Sequence, residues 1–319
     1  MSQHEDVLLS LLDKQGFILL DGALATELER RGSKLNTSLW SAEILIKNPK
    51  LIQQVHLDYF LAGADVATTS SYQISDEGLE EAGLSTIDAS KLVKRSVELA
   101  MKAKLDVNAQ QPGRKLIVAG SVGPYGAYLA NGAEYRGDYQ LSEDQFKAFH
   151  RPRIRALIEA GVDILAFETI PSFPETLALR NMLSEFPDAR AWFSFTLKDS
   201  SHISDGTSLR QITEALDSSK QIIAIGVNCV PPELAVETLQ VLAGLTKKPL
   251  VAYPNSGESY NASTKSWDDR RKEKSDLATL APKWLSAGAK FIGGCCRTTP
   301  AQIRNVRRAL ESAASSSGV

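Results

Sequence analysis

Short apolar runs and longer amphipathic stretches take turns along almost the whole chain. The runs at 16–20, 65–69, 116–120, 163–167, 191–196, 222–227, 250–253 and 290–293 are rich in Val, Ile, Leu and Phe. Short apolar runs bounded by turn residues predict buried strands. Helical stretches predicted at 51–62, 89–104, 142–160, 174–185, 208–216, 232–245, 275–287 and 300–312 follow them in alternation. Strands that alternate with helices form parallel sheets. Eight such units without a break in composition predict an α/β fold, a single (β/α)8 TIM barrel over residues 1–312. At 319 residues the chain suits one barrel, which commonly runs about 250 residues or more with insertions. The Ser- and Ala-rich stretch 313–319 reads as a disordered tail.

The spacing is uneven. Intervals after the first three strands run to roughly 45–50 residues, against about 30 for a compact unit. Segments that follow barrel strands build the catalytic face. The extra chain at 30–42, 70–85 and 122–140 is therefore expected to wall and lid a site.

Composition narrows the class. With 43% hydrophobic and 23% charged residues, the chain reads as an ordinary globular protein. A net charge of −2 and a pI near 6.2 give no footprint for nucleic acid or an anionic membrane. No apolar run approaches the length of a membrane helix, and the acidic start Met1–Asp6 lacks the order of a signal peptide. A cytoplasmic location follows as the expectation, so the N-x-S/T matches at Asn36 and Asn261 carry no weight. The expected partners are small molecules. The sequence does not set the oligomeric state, and a monomer is the starting expectation.

The candidate chemistry is in sulfur. Of three cysteines, Cys295 and Cys296 are adjacent behind Gly293-Gly294, and Cys229 ends Gly226-Val227-Asn228-Cys229. Each stretch follows an apolar run, so all three thiols arrive at strand ends. Neighbours in a regular strand point to opposite faces, but the glycine pair frees the backbone and lets both sulfurs turn one way. Three converging thiolates with a fourth position open are the pattern of a zinc site that does chemistry. Against this stand the buried inert cysteine and the disulfide. The odd count and the expected compartment argue against a disulfide framework. The spacing is none of the familiar metal patterns, so by itself it leaves metal binding and inert thiols evenly matched. The four histidines, His4, His56, His150 and His202, form no zinc motif.

The pairing of Gly226-Val227-Asn228-Cys229 with Gly293-Gly294-Cys295-Cys296 resembles the homocysteine S-methyltransferase family. The resemblance extends from Asp21-Gly22 to Arg297. It implies that Cys229, Cys295 and Cys296 bind one zinc ion. It also implies that the Asp21-Gly22-Ala23 motif binds the amino-acid substrate, and that Glu168 of Phe167-Glu168-Thr169 binds homocysteine.

By their own chemistry these residues leave alternatives open. Asp21 is either a helix cap or, with Glu168, one of two anionic acceptors for an ammonium group. Backbone N–H groups of Gly22 and Ala23 are placed to hold a carboxylate. Trp40 and Tyr72 either pack or face a cationic donor. Asn228 and Asn255 either turn the chain or orient the ligand cysteines.

The segment 123–139 has glycines but no P-loop lysine, and it resembles the branch of the family that uses sulfonium donors. Ala23 stands where many relatives carry glycine, and Thr169 where betaine-dependent relatives carry tyrosine. No G-x-G-x-x-G turn offers an adenosyl group a dedicated pocket. The resemblance implies methyl transfer to the homocysteine thiolate, giving methionine. S-methylmethionine is the expected first donor and S-adenosylmethionine the second. Two other classes remain: a non-catalytic zinc or thiol redox sensor, and the homocysteine-activating barrel of a cobalamin-dependent system, which would need a partner.

Overall fold

Each of the eight apolar runs is a strand of one parallel sheet in the computed structural model, which describes residues 3–33, 41–84, 87–257, 259–261, 266–268 and 276–316. The strands are β1 (Ile18–Leu19), β2 (Val66–Thr68), β3 (Ile117–Val122), β4 (Ile164–Ile170), β5 (Ala191–Phe195), β6 (Ile222–Asn228), β7 (Leu250–Tyr253) and β8 (Ala289–Ile292). The helices that follow them are α1 (Pro49–Leu61), α2 (Ala89–Gln110), α3 (Glu143–Glu159), α4 (Phe173–Leu183), α5 (Leu209–Leu216), α6 (Pro232–Ala243), α7 (Leu277–Ser286) and α8 (Pro300–Ser316). Capping boxes start two of them: Ser142 with Gln145 for α3, and Ser208 with Gln211 for α5. Each box satisfies two backbone donors that a helix start leaves orphaned.

The spatial order is β1-β8-β7-β6-β5-β4-β3-β2, with every neighbouring pair parallel. The ring closes between β1 and β2 through Asp65. Its N–H donates to Leu19 O at 2.7 Å, and its Oδ2 accepts from Leu19 N at 2.9 Å. Arg307 of α8 lies 3.1 Å from Asp65 Oδ2 and compensates the buried charge.

Alternation along the strands divides the core. Ile18, Val66, Ile117, Ile164, Trp192, Ala224, Val251 and Phe291 fill the barrel interior. The opposite faces pack under the helices with strand residues such as Val118, Leu165, Phe193 and Ile225, in one cluster with helix residues such as Trp284. A helix not expected from the sequence, Gln3–Gln15, contributes Leu8 and Leu11 to the interior cluster. It leads straight into β1, so it plugs the end of the barrel at which the strands begin. No helix of the described residues is long and apolar enough to cross a membrane.

The last helix continues to Ser316. Residues 313–316, expected in the tail, are therefore helical, and residues 317–319 lie outside the described residues. The segments after β1, β2 and β3 are longer than elsewhere and contain short helices at Ala25–Arg30, Ser41–Lys47, Asp76–Glu81 and Tyr125–Tyr128.

Candidate active site

Cys229 follows β6 directly, and Cys295 and Cys296 follow β8 after two glycines. These strands flank β7, so their C-terminal ends face each other across one strand. Cys229 adopts a left-handed backbone (φ 52°), as does Arg297 (φ 63°) just past the cysteine pair. Such conformations are costly for non-glycine residues and gather at functional sites. Gly293 and Gly294 fit where no side chain would: a Cβ would come within 2.6 Å of Leu20 Cβ and 2.5 Å of Thr298 Oγ1, respectively. This close packing turns both sulfurs inward, as the glycine pair predicted.

The three sulfurs lie within 4.8 Å of one another. Cys229 Sγ and Cys296 Sγ are 3.8 Å apart. Two sulfurs each about 2.3 Å from a tetrahedral zinc ion are separated by about 3.8 Å, so this edge fits a metal. Burial, with the charges of Glu134 and Glu168, pushes the Cys296 thiol up to about 12. A thiolate here needs a cation beside it. Cys229 and Cys295 are joined as a disulfide, leaving Cys296 the free thiol. That corrects the expectation against a disulfide, because convergence for one ion also brings two sulfurs within bonding reach.

Two carboxylates face the same cavity. Asp21 follows β1; its Oδ2 accepts from Thr68 N at 2.8 Å and its Oδ1 from Thr68 Oγ1 at 3.0 Å. It caps no helix. Glu168 accepts from Ser121 Oγ and, at 3.1 Å, from Tyr253 OH, which in turn accepts from Trp192 Nε1 at 3.1 Å. Among the described residues neither carboxylate forms an ion pair with a Lys, Arg or His side chain. Burial raises Asp21 to about 7, with a smaller push from the charge of Glu168. Burial likewise raises Glu168 to about 6, against its two hydrogen bonds. Two carboxyls poised near neutrality beside three cysteine sulfurs favour a cationic ligand.

The two asparagines hold the rim. Asn255 Oδ1 accepts from Cys296 N at 3.1 Å. Asn228 Nδ2 lies 3.9 Å from Cys295 Sγ, and its amide also bonds Thr169. Tyr72 lines the cavity beside Thr169, and burial raises its hydroxyl well above the ordinary value.

The comparisons with known proteins fall on this same frame. The family model for homocysteine S-methyltransferase matches residues 18–310. The chain belongs to the homocysteine S-methyltransferase family. A homocysteine S-methyltransferase of Escherichia coli (strain K12) is 54% identical over 304 residues, covering 95% of this chain and 98% of that one. The E. coli homocysteine methyltransferase MmuM in its metallated form superposes with a TM-score of 0.86 at 52% identity, covering 96% of this chain and 99% of that one. Its oxidized form gives the same score and identity over 95% and 99%. Membership makes the protein a methyltransferase with homocysteine as its acceptor.

The methyltransferase site also departs from the sequence reading. Ala23 N–H donates to Thr298 Oγ1 at 3.0 Å, so it is not free to hold a carboxylate. Gly22 is pressed against Thr298 and Tyr59, where a Cβ would approach Thr298 Oγ1 to 2.6 Å. Trp40 lies outside the described residues. Thr68, Ser121, Tyr253 and Thr298 escaped the sequence analysis because an isolated hydroxyl carries no pattern. Glu134 escaped as well. It is one acid in a segment read as a lid, and it lines the cavity with Tyr135.

Proposed function

We propose that this methyltransferase moves a methyl group from a sulfonium donor to homocysteine, with zinc held by Cys229, Cys295 and Cys296. S-methylmethionine is the preferred donor and S-adenosylmethionine the second. One observation carries the reading: two buried carboxyls raised toward neutrality share a cavity with a three-cysteine cluster whose 3.8 Å edge between Cys229 and Cys296 suits zinc once the cysteines are reduced.

The homocysteine ammonium group pairs with Asp21 and Glu168 and supplies the charge that burial denies them. Thr68 holds Asp21, and Ser121 with Tyr253 holds Glu168, so the substrate meets carboxylates already aimed. Positioning of this kind removes much of the entropic part of a barrier. A free thiol with pKa about 8.5 is only a few per cent thiolate at pH 7. A bound zinc ion supplies the positive charge that lets the homocysteine thiol lose its proton near neutral pH.

The acceptor sulfur attacks the donor methyl carbon in line. The carbon–sulfur bond of the donor breaks, its electron pair stays on the donor sulfur, and a neutral thioether leaves. Tyr72, on the cavity wall, offers a ring face to the sulfonium. Asn228 and Asn255 keep the cysteines in register.

Turnover of the purified, reduced protein with homocysteine and a donor panel tests the reading. The kcat/KM for S-methylmethionine should exceed that for S-adenosylmethionine, and betaine and methyltetrahydrofolate should be poor. A preference for either of the last two refutes the sulfonium reading. A large preference for S-adenosylmethionine refutes only the ranking.

A further inference from the structure

Most buried acids of this protein away from the cavity have partners. Glu27 pairs with Arg30 and Arg31, Asp65 with Arg307, and Glu175 with His150 and Tyr139. In the cavity, Asp21 and Glu168 each accept two hydrogen bonds. Glu134 is different. It is 6% exposed and lines the same cavity, yet its Oε2 has no hydrogen-bond partner among the described residues. Leaving a buried polar acceptor unmatched is costly, so this oxygen is open to a ligand.

The position is held from several sides. Glu134 sits on the short 3-10 turn Ala133–Tyr135, in the long segment after β3. Its backbone carbonyl accepts from Thr196 Oγ1 at 2.9 Å. Gly126 presses against its backbone so closely that a Cβ there would lie 2.7 Å from Glu134 N. Tyr139, later in the same segment, is tied to Glu175 at the start of α4. Burial raises the Glu134 carboxyl, while its own backbone N–H and Arg136 favour its charge. Arg136 is itself paired with Asp138 at 2.7 Å. Glu134 lines the same cavity as Tyr72, Glu168 and Cys296, so its carboxyl belongs to the wall around the reacting centre.

Resting on the sulfonium reading above, we propose that Glu134 binds the α-ammonium group of the methyl donor and thereby selects donors that are amino acids. Asp21 and Glu168 are assigned to the acceptor ammonium; of the two other carboxylates that line the cavity, Glu29 is exposed and Glu134 is buried, which makes Glu134 the cavity carboxylate for the second amino acid. The sulfonium itself is the poorer partner. Its charge vanishes as the methyl leaves, so pairing it with a carboxylate would stabilise the ground state more than the transition state. The ammonium charge persists through the reaction, and an ion pair to it holds both states alike. The contact therefore belongs in KM rather than in kcat.

The test uses the full-length, metal-loaded protein and Glu134→Gln, which removes the charge and keeps the shape. S-methylmethionine binding is measured by calorimetry without homocysteine, and steady-state kinetics are run with two donors. One is S-methylmethionine. The other is dimethylsulfoniopropionate, a sulfonium without an amino group. Glu134→Gln should weaken the Kd and KM for S-methylmethionine about 10- to 100-fold. It should leave kcat, the homocysteine KM, metal content and the KM for dimethylsulfoniopropionate nearly unchanged.

Equal weakening of both sulfoniums, a raised homocysteine KM, or no change at all overturns the assignment. If Glu134→Gln does not fold, Glu134→Asp carries the same measurements with a smaller expected shift. Binding of S-methylmethionine that depends on Glu134 but leads to no turnover would sink the donor reading and leave this contact standing. No binding of S-methylmethionine by the wild type overturns the contact.

Discussion

Asn228 clamps Thr169. Its Oδ1 accepts from Thr169 N at 2.7 Å and its Nδ2 donates to Thr169 Oγ1 at 2.8 Å. Thr169 needs the clamp because it stands in the left-handed region (φ 63°), immediately after Glu168 at the end of β4. The same amide reaches toward Cys295 Sγ, so one side chain couples the carboxylate strand to the thiol cluster. Asn228→Ala leaves the buried Thr169 N–H unpaired, at a cost of about 1–3 kcal/mol. Thermal unfolding should show that loss. Kinetics should show kcat/KM falling about 10- to 100-fold, as for removal of other groups that orient metal ligands.

The cysteines should act as one unit. The reduced wild type should bind about one zinc per chain, while Cys229→Ser, Cys295→Ser and Cys296→Ser each bind far less and lose most activity. Elemental analysis alongside turnover checks this. Oxidised protein, with Cys229 and Cys295 bonded, should bind no metal until a reductant is added. Full activity after complete zinc removal would end the proposed mechanism.

Asp21→Asn and Glu168→Gln should raise the homocysteine KM without lowering metal content, since they address the ammonium group. They also carry a pH signature. Asp21 is raised from 3.8 to about 7 in the folded protein, so between those values the folded state binds the extra proton. Wild-type stability therefore falls as pH rises through this window. The stability of Asp21→Asn relative to wild type should improve by up to about 4 kcal/mol from pH 4 to pH 8. Denaturant unfolding of the ligand-free proteins at both pH values measures it. A flat difference would mean that Asp21 is ionised throughout.

Gly226 lies in β6, three residues before Cys229. A Cβ at this position would lie 1.9 Å from Val251 O of the neighbouring strand. Gly226→Ala therefore cannot be accommodated without parting β6 from β7, and it should cost about 3 kcal/mol or more. The melting temperature should drop sharply, and metal content should fall with it. A near-normal melting temperature would show that the strands can shift at little cost.

Much of the barrel was legible because its signals are local. Apolar runs, caps and the count of eight alternations reside in short windows, and a parallel ring then places every strand's C-terminal end on one rim. Asp21, Glu168, Asn228 and the three cysteines all sit just at or past strand ends, so local reading and strand polarity were enough to gather them. The glycine pair before Cys295 announced the turn that brings both sulfurs to one side.

What the sequence left open depended on contacts between distant positions. Thr298 takes the Ala23 N–H across 275 positions, which no window around Ala23 reveals. Tyr253 and Ser121 steady Glu168 from 85 and 47 positions away. The unmatched oxygen of Glu134 emerges only when every neighbour is in place. Local pattern thus determined the elements and the rim on which the chemistry sits. Only the closed barrel, by burying polar groups against one another, decided which of them are satisfied and which wait for a ligand.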